Sequence, residues 1–193
     1  MPVAGGPGHP GYAAAPLAHR EVLPNGMVLL VAERPAIPIV VVRVYLHAGS
    51  VYDPPDAGGL ANLTADMLTR GTAKRSGPEL DQAIEFVGGS LEGEAGRDGA
   101  AVSLSVLKKD LKMGLDLLAE VLLHAGLSGA RSSSGGSEEI AAAIERSEQD
   151  PGTVAAREMA LLLYPGHPYR RPVAGTVGVR EEDNARADRR VLR

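Results

Sequence analysis

Hydrophobic and polar positions alternate with a period of two in part of the chain. Val102, Leu104 and Val106 are separated by two serines, a pattern typical of a strand with one buried face. Residues 39–46 are instead almost continuously apolar and β-branched, which predicts a central strand. Asn25-Gly26 lies between two further apolar segments and predicts a β-hairpin, because this dipeptide accepts the positive φ angles of tight turns.

Other segments repeat their apolar residues at helical spacing. An amphipathic helix is predicted between a first-turn cap at Asp56 and a stop at Gly71, with Asn62, Ala65, Asp66 and Thr69 opposite its apolar side. That buried side is predicted to comprise Leu60, Leu63, Met67 and Leu68.

Strands Ser90 to Ala95 and Ala100 to Leu107 are predicted to form a second hairpin around Arg97-Asp98-Gly99. Four further helical segments are predicted, one of them from Glu138 to Glu148 with acidic residues in its first turn. A short helix begins at Pro78, and a longer one follows Asp110. Asp150-Pro151 is a cap followed by proline at the first helical position, so another helix is predicted up to about Leu163. The helix after Asp110 is expected to bury Leu111, Leu115, Leu118 and Leu122.

Strand pairs joined by hairpins favour an antiparallel sheet, and the interspersed helices are expected to cover one of its faces. The sequence therefore predicts the α+β class. Residues 1–18 are rich in Gly, Pro and Ala and are predicted to form a disordered arm. Residues 19–179 are predicted to form a single domain, and residues 180–193 a divergent charged tail.

Composition excludes several classes of function. The formal net charge of the 193 residues is −4 and aromatic residues make up 3%, which argues against a nucleic-acid partner. The absence of cysteine excludes disulfides, thiolate metal sites and a cysteine nucleophile. No apolar run approaches the roughly 20 residues of a membrane span, and no signal-peptide pattern is present. Cytoplasm and periplasm both remain open as compartments.

Chemistry-bearing residues form no recognisable catalytic pattern by themselves. The histidines are scattered, no serine lies in a Gly-x-Ser-x-Gly elbow, and the glycine pairs follow helices instead of opening them. The five histidines are His9, His19, His47, His124 and His167. Residue chemistry alone therefore predicts a globular domain without a visible active site.

Seven short motifs follow one another in a fixed order along the chain. They are Leu23-Pro24-Asn25-Gly26, the stretch from Ala48 to Pro55, Gly59-Leu60-Ala61 with Met67-Leu68, Gly71-Thr72, Gly88-Gly89-Ser90-Leu91, Leu107 to Leu111, and His167-Pro168-Tyr169 with Gly175-Thr176. In this order they resemble the pitrilysin/insulinase family, the inverted zincins that include the mitochondrial processing peptidases. The resemblance implies the α+β domain of a metallopeptidase.

The catalytic motif of that family is degenerate in this chain. The family helix carries His-x-x-Glu-His, in which the histidines bind zinc and the glutamate activates water, and a later helix supplies a third ligand, a glutamate. The corresponding positions here hold Asn62, Ala65, Asp66 and Ala143. The resemblance therefore implies no catalytic residue, no metal ligand and no bound cofactor, although the family uses zinc.

Three functions follow from this resemblance. The first is a non-catalytic subunit or domain that associates with a homologous zinc-bearing peptidase subunit or with itself and helps to hold peptide substrates. Its inner surface is expected to combine the helix bearing Asn62 and Asp66 with the edge of strand 39–46. The alternatives are an active zinc metalloendopeptidase with other ligands, and a structural fragment without function of its own.

Overall fold

The computed structural model describes residues 18–34, 36–126, 142, 144–146 and 149–175. Nearly all of the predicted arm and the whole predicted tail lie outside these ranges, so those two segments stay predictions. The chain divides into two compact units after Pro38. In the first unit, β1 (His19–Val22) pairs antiparallel with β2 (Val28–Val31), and Gly26 adopts a φ of 83° in the turn. The hairpin predicted at Asn25-Gly26 is therefore confirmed.

The second unit contains a three-stranded antiparallel sheet. Its strands are β3 (Ile39–Leu46), β4 (Ser90–Ala95) and β5 (Ala100–Leu107), in the order β3-β5-β4. The prediction that residues 39–46 form a central strand is wrong in the described part of the chain, because β5 occupies that place. The apolar residues on the second face of β3 suggested burial on both sides, but that face is exposed.

Four α-helices of the second unit lie wholly within the described ranges. They are α1 (Leu60–Leu68), α2 (Gly77–Glu85), α3 (Leu111–Leu123) and α4 (Pro151–Leu163). Residues 142 and 144–146, inside the segment predicted to be helical from Glu138 to Glu148, are helical as well. Helix α2 begins with a capping box formed by Ser76 and Glu79. Helix α4 begins as predicted, because the Asp150 carboxylate accepts a hydrogen bond of 2.7 Å from the Thr153 N–H. Antiparallel strands combined with helices confirm the α+β class.

The main core lies between the sheet and helices α2 and α3. Its buried members are Leu80, Ile84, Val102, Leu104, Val106, Leu117, Leu118 and Val121. The alternating residues of β5 all point into it, as the period-two pattern predicted.

The buried side of α3 differs from the predicted one. Leu118 is buried as expected, but Leu115 is 41% exposed, and Leu117 and Val121 take its place in the core. Helix α3 carries leucines around most of its circumference, so helical spacing fits more than one stripe. Gly114 lies on the buried side, where an added Cβ atom would lie only 3.0 Å from a methyl group of Leu104. The glycine lets α3 approach β5 closely.

No helix within the described ranges is both long and apolar enough to cross a lipid bilayer.

Candidate functional site

Helix α1 carries three of the four positions that the resemblance aligns with the zinc motif, whereas Ala143 lies outside the described residues. The N-cap residue of the helix is Gly59, which has a left-handed φ of 97°. The buried carboxylate of Asp53 accepts hydrogen bonds from the backbone N–H groups of Gly59 (2.8 Å) and Ala61 (2.9 Å). The cap predicted at Asp56 is therefore wrong. Asp53 reaches the helix because the chain folds back after a 3-10 turn, Ser50–Tyr52, which local sequence spacing does not reveal.

Ala65, which the resemblance aligns with the family's general base, is the least exposed residue of α1. Its side chain is 2% exposed, and a Cβ atom on Gly93 of β4 would overlap the Ala65 carbonyl oxygen. The predicted burial of Leu63 is confirmed, but the prediction that Ala65 lies on the outer side is wrong. Because Ala65 and Gly93 are both small, the backbone of α1 can approach β4 closely. The spacing of large apolar residues in the sequence does not reveal a contact between two small ones.

Asn62 and Asp66 lie one helical turn apart, and both are partly buried. Arg70 follows Asp66 by another turn, with its Nε atom 3.4 Å from Asp66 Oδ2, an oxygen that is buried and accepts no hydrogen bond. The carboxylate therefore faces a guanidinium in place of the imidazole neighbour that a zinc site of this family needs.

The donor set on α1 does not fit zinc. Zinc in catalytic sites takes three strong donors such as imidazole nitrogens and carboxylates, and a side-chain amide is a poor substitute. Asn62 and Asp66 supply one amide and one carboxylate, and the latter is ion-paired. Within the described ranges, no group of three or more His, Cys, Asp or Glu side chains is arranged to hold a metal ion.

The described histidines have aromatic neighbours in two places. The imidazole of His47 packs edge-on against Tyr45, with 5.7 Å between ring centroids. The His167 ring packs edge-on against Tyr169 at 4.7 Å. His9 lies outside the described residues.

A buried acidic site lies beyond the end of α1, and the sequence analysis missed it. Glu120 of α3 is 8% exposed and accepts a 2.6 Å hydrogen bond from the Thr72 hydroxyl as well as one from the Arg75 guanidinium. The Thr72 hydrogen bond, supported by Arg75, lowers the pKa of Glu120 although burial opposes this shift. A glutamate between Leu117 and Val121 was the available signal, since it interrupts a buried stripe.

The second face of the sheet carries polar and apolar residues that are open to solvent. Arg43 of β3 forms an ion pair with Glu94 of β4, across the central strand. Val41 is 68% exposed, Ile39 is 50% exposed and Tyr45 is 55% exposed. An isolated exposed pair such as Arg43 and Glu94 contributes little to stability.

The structure does not bring together the two parts of the expected inner surface. Helix α1 contacts β4 and β5, whereas β3 lies on the far side of β5. The helix bearing Asn62 and Asp66 is therefore next to the free edge of β4. The prediction that it lies with the edge of β3 is wrong, because the order of the strands is set by long-range pairing.

Comparison with known proteins gives a consistent set of relatives. An uncharacterized zinc protease of Mycobacterium tuberculosis is 29% identical over 170 residues, which are 88% of this chain and 38% of the relative. A probable mitochondrial-processing peptidase subunit beta of Arabidopsis thaliana is 28% identical over 114 residues, or 59% of this chain and 22% of that protein. The chain thus spans less than two fifths of the length of these relatives.

Solved structures show the same fold. A peptidase M16 inactive domain from Pseudomonas fluorescens matches with a TM-score of 0.76 at 29% identity, over 84% of this chain and 39% of that one. Pitrilysin matches with a TM-score of 0.72 at 23% identity, over 84% of this chain and 17% of its own. The family model described as Insulinase (Peptidase family M16) covers residues 28–177. The resemblance drawn from the seven motifs is confirmed, and the chain belongs to the insulinase family of peptidases, family M16.

Proposed function

We propose that this chain is a non-catalytic member of the M16 family that associates with a homologous domain and helps to hold peptide substrates. The observation that carries the proposal is the chemistry of α1. Asn62, Ala65 and Asp66 replace two imidazoles and a general base, and Ala65 is packed against β4 where a base would need access to water. The match to a solved structure named an M16 inactive domain supports this proposal.

The free edge of β4 is the place that we propose for an extended peptide. An edge strand presents unpaired N–H and C=O groups, and another chain in extended form can pair with them. In the described sheet β4 is one of the two edges, and α1 packs beside it. Holding a peptide there needs backbone hydrogen bonds and no metal.

The first prediction is that the purified chain, after mild dialysis, holds well below one zinc ion per chain by elemental analysis. It is also expected to cleave peptides no faster than background, because no described group on α1 can activate water. A tightly held zinc ion in the unmodified chain, or a cleavage activity that a chelator abolishes, would favour an active zinc peptidase, the function that the names of the relatives suggest.

A gain-of-binding variant tests the positions themselves. The triple change Asn62→His, Asp66→His and Ala143→Glu restores the three ligands of the family and leaves the buried Ala65 untouched. We expect it to bind about one zinc ion per chain, whereas a control with glutamine at the same three positions binds none. A triple variant that folds but does not bind zinc would contradict the assignment of these positions to the zinc motif.

The edge of β3 is the surface that we propose for association. Its exposed residues Ile39, Val41 and Tyr45 lie on one face of β3, which also carries Arg43. In the described sheet β3 pairs only with β5, and an outer edge of this kind recruits further strands. Relatives named mitochondrial-processing peptidase subunit beta are, by that name, parts of a larger enzyme. A homologous M16 domain is therefore the partner that we propose.

The second prediction is that the chain sediments as a dimer in the micromolar range, or as a heterodimer when a zinc-bearing homologue is added. Val41→Lys is expected to shift this equilibrium toward monomer, because a lysine in an edge strand opposes pairing. Glu92→Lys, on the opposite edge strand, is the matched control and is expected to leave association unchanged. If the chain is a strict monomer and also fails to bind the homologue, the proposed association is wrong, and a structural fragment without function of its own becomes the favoured interpretation.

A further inference from the structure

Residues 167–175, here called the strap, connect the end of α4 with two other parts of the second unit. The Arg97 guanidinium donates a hydrogen bond to the Tyr169 carbonyl oxygen, and the Tyr169 hydroxyl donates one to Asp98. Both partners lie in the turn between β4 and β5. The strap is thus fastened to that turn by Tyr169 at two points.

The far end of the strap covers the start of α1. Arg171 Nη1 donates a 2.8 Å hydrogen bond to the Pro54 carbonyl oxygen. Gly59 and Gly175 meet so closely that a Cβ atom on Gly59 would lie 2.7 Å from the Gly175 Cα. The conformation of the strap is therefore linked to the N-terminus of the helix that carries Asn62 and Asp66.

His167 begins the strap and determines its first turn. Its Nδ1 atom accepts a 3.2 Å hydrogen bond from the Tyr169 N–H, which caps the 3-10 turn Pro168–Arg170. A ring nitrogen accepts a hydrogen bond only when it carries no proton, so this contact requires the neutral imidazole with hydrogen on Nε2. A proton added at Nδ1 would set two N–H donors against each other.

The neighbours of His167 do not replace this contact when the imidazole is charged. Tyr164 from α4 and Tyr169 from the strap present aromatic rings, at centroid distances of 6.2 and 4.7 Å. The charged groups around Tyr169 are Arg97, which lies over its ring, and Asp98, which is engaged by its hydroxyl. Arg170 lies in the turn itself, where its N–H bonds to the His167 carbonyl oxygen. Imidazole is the side chain of this set that ordinarily changes charge between about pH 5 and 8.

We propose that His167 is a pH-sensitive latch that holds the strap when it is neutral and releases the first turn of the strap when it is protonated. The proton binds at Nδ1, and the hydrogen bond from the Tyr169 N–H is lost. The loss loosens the first turn of the strap, next to the contacts of Tyr169 with Arg97 and Asp98. This inference does not depend on the proposed peptide-holding function.

Backbone hydrogen exchange of the full chain, followed residue by residue by NMR and corrected for the intrinsic pH dependence, tests the latch. The protection of the Tyr169 amide is expected to fall about five- to tenfold between pH 8 and pH 5. His167→Asn supplies an acceptor oxygen that does not titrate, so its Tyr169 amide is expected to keep constant protection. His124→Asn, far from this turn in sequence, is expected to behave like the unmodified chain.

Two outcomes would overturn the latch. One is a Tyr169 protection in the unmodified chain that does not change between pH 8 and pH 5. The other is the same fall in the His167→Asn variant, since the response would then come from another group. If His167→Asn does not fold, His167→Ser provides a second acceptor that does not titrate. If neither variant folds, the protection of the Tyr169 amide in the unmodified chain between pH 8 and pH 5 is the deciding measurement.

Discussion

Glu120→Ala is expected to lower the free energy of unfolding by about 2–3 kcal/mol. The substitution removes the acceptor of the Thr72 hydroxyl and of the Arg75 guanidinium at once. It also leaves a small cavity beside Leu117 and Val121, which belong to the main core. Urea denaturation followed by far-UV circular dichroism measures the change.

A matched control is available on the same helix. Asp116 is an exposed acidic residue of α3, and it pairs with Lys112 at the surface. Asp116→Ala is expected to change the unfolding free energy by less than about 0.5 kcal/mol. Equal effects in the two variants would contradict the prediction, because the contacts of Glu120 with Thr72 and Arg75 would then contribute no more than an exposed ion pair.

The pH dependence provides an independent check on Glu120. Its pKa in the folded chain is lowered, first by the Thr72 hydrogen bond and then by Arg75. The stabilisation is therefore complete above the ordinary glutamate pKa of about 4.3 and is lost as the pH falls through the lower pKa of the folded state. Glu120→Gln removes the titrating group, so the loss of stability below pH 5 is expected to be shallower in this variant than in the unmodified chain.

Features determined by neighbouring residues could be predicted from the sequence. The Asn25-Gly26 hairpin, the alternating face of β5 and the Asp150 cap each depend on a few consecutive residues, and each was found where it was expected. The α+β class followed from the same local signals, because hairpins bring consecutive strands together.

Features determined by distant residues could not be predicted in this way. In the described sheet β3 is an edge strand, because β5 lies between β3 and β4 and pairs with both. These pairings join residues far apart in the sequence, so local patterns do not reveal them. Asp53 replaces Asp56 as the cap because the chain turns back before α1. The side of α3 that is buried includes Gly114, which lies against Leu104 and Val106 of β5, and the spacing of the leucines alone does not show this contact.

The candidate site combines both kinds of information. The order of short motifs predicts that α1 corresponds to the helix of the zinc motif, with Asn62, Ala65 and Asp66 at the motif positions, and this assignment stays a prediction. The contacts of α1 with the rest of the fold could not be predicted from the sequence. Arg70 beside Asp66 follows from helical spacing, but the packing of Ala65 on Gly93 joins residues 28 positions apart and requires the fold.

Gly93→Ala is expected to lower the free energy of unfolding by about 3 kcal/mol, since overpacked sites lose about 1–3 kcal/mol and here the clash is with backbone. A methyl group at this position would overlap the carbonyl oxygen of Ala65, an atom that cannot rotate away. Helix α1 must therefore move off β4, or the strand must bend. Urea denaturation measures the loss.

Gly96→Ala is the matched control, one residue beyond the end of β4. The nearest atom to its added methyl group is the Gly99 carbonyl oxygen at 3.6 Å, an ordinary contact distance. Its effect is expected to stay within about 0.5 kcal/mol. If Gly93→Ala is as mild as this control, α1 does not pack on β4 as described, and Ala65 would then be accessible to water. Such a result would remove the structural reason for proposing that the position of the general base is closed.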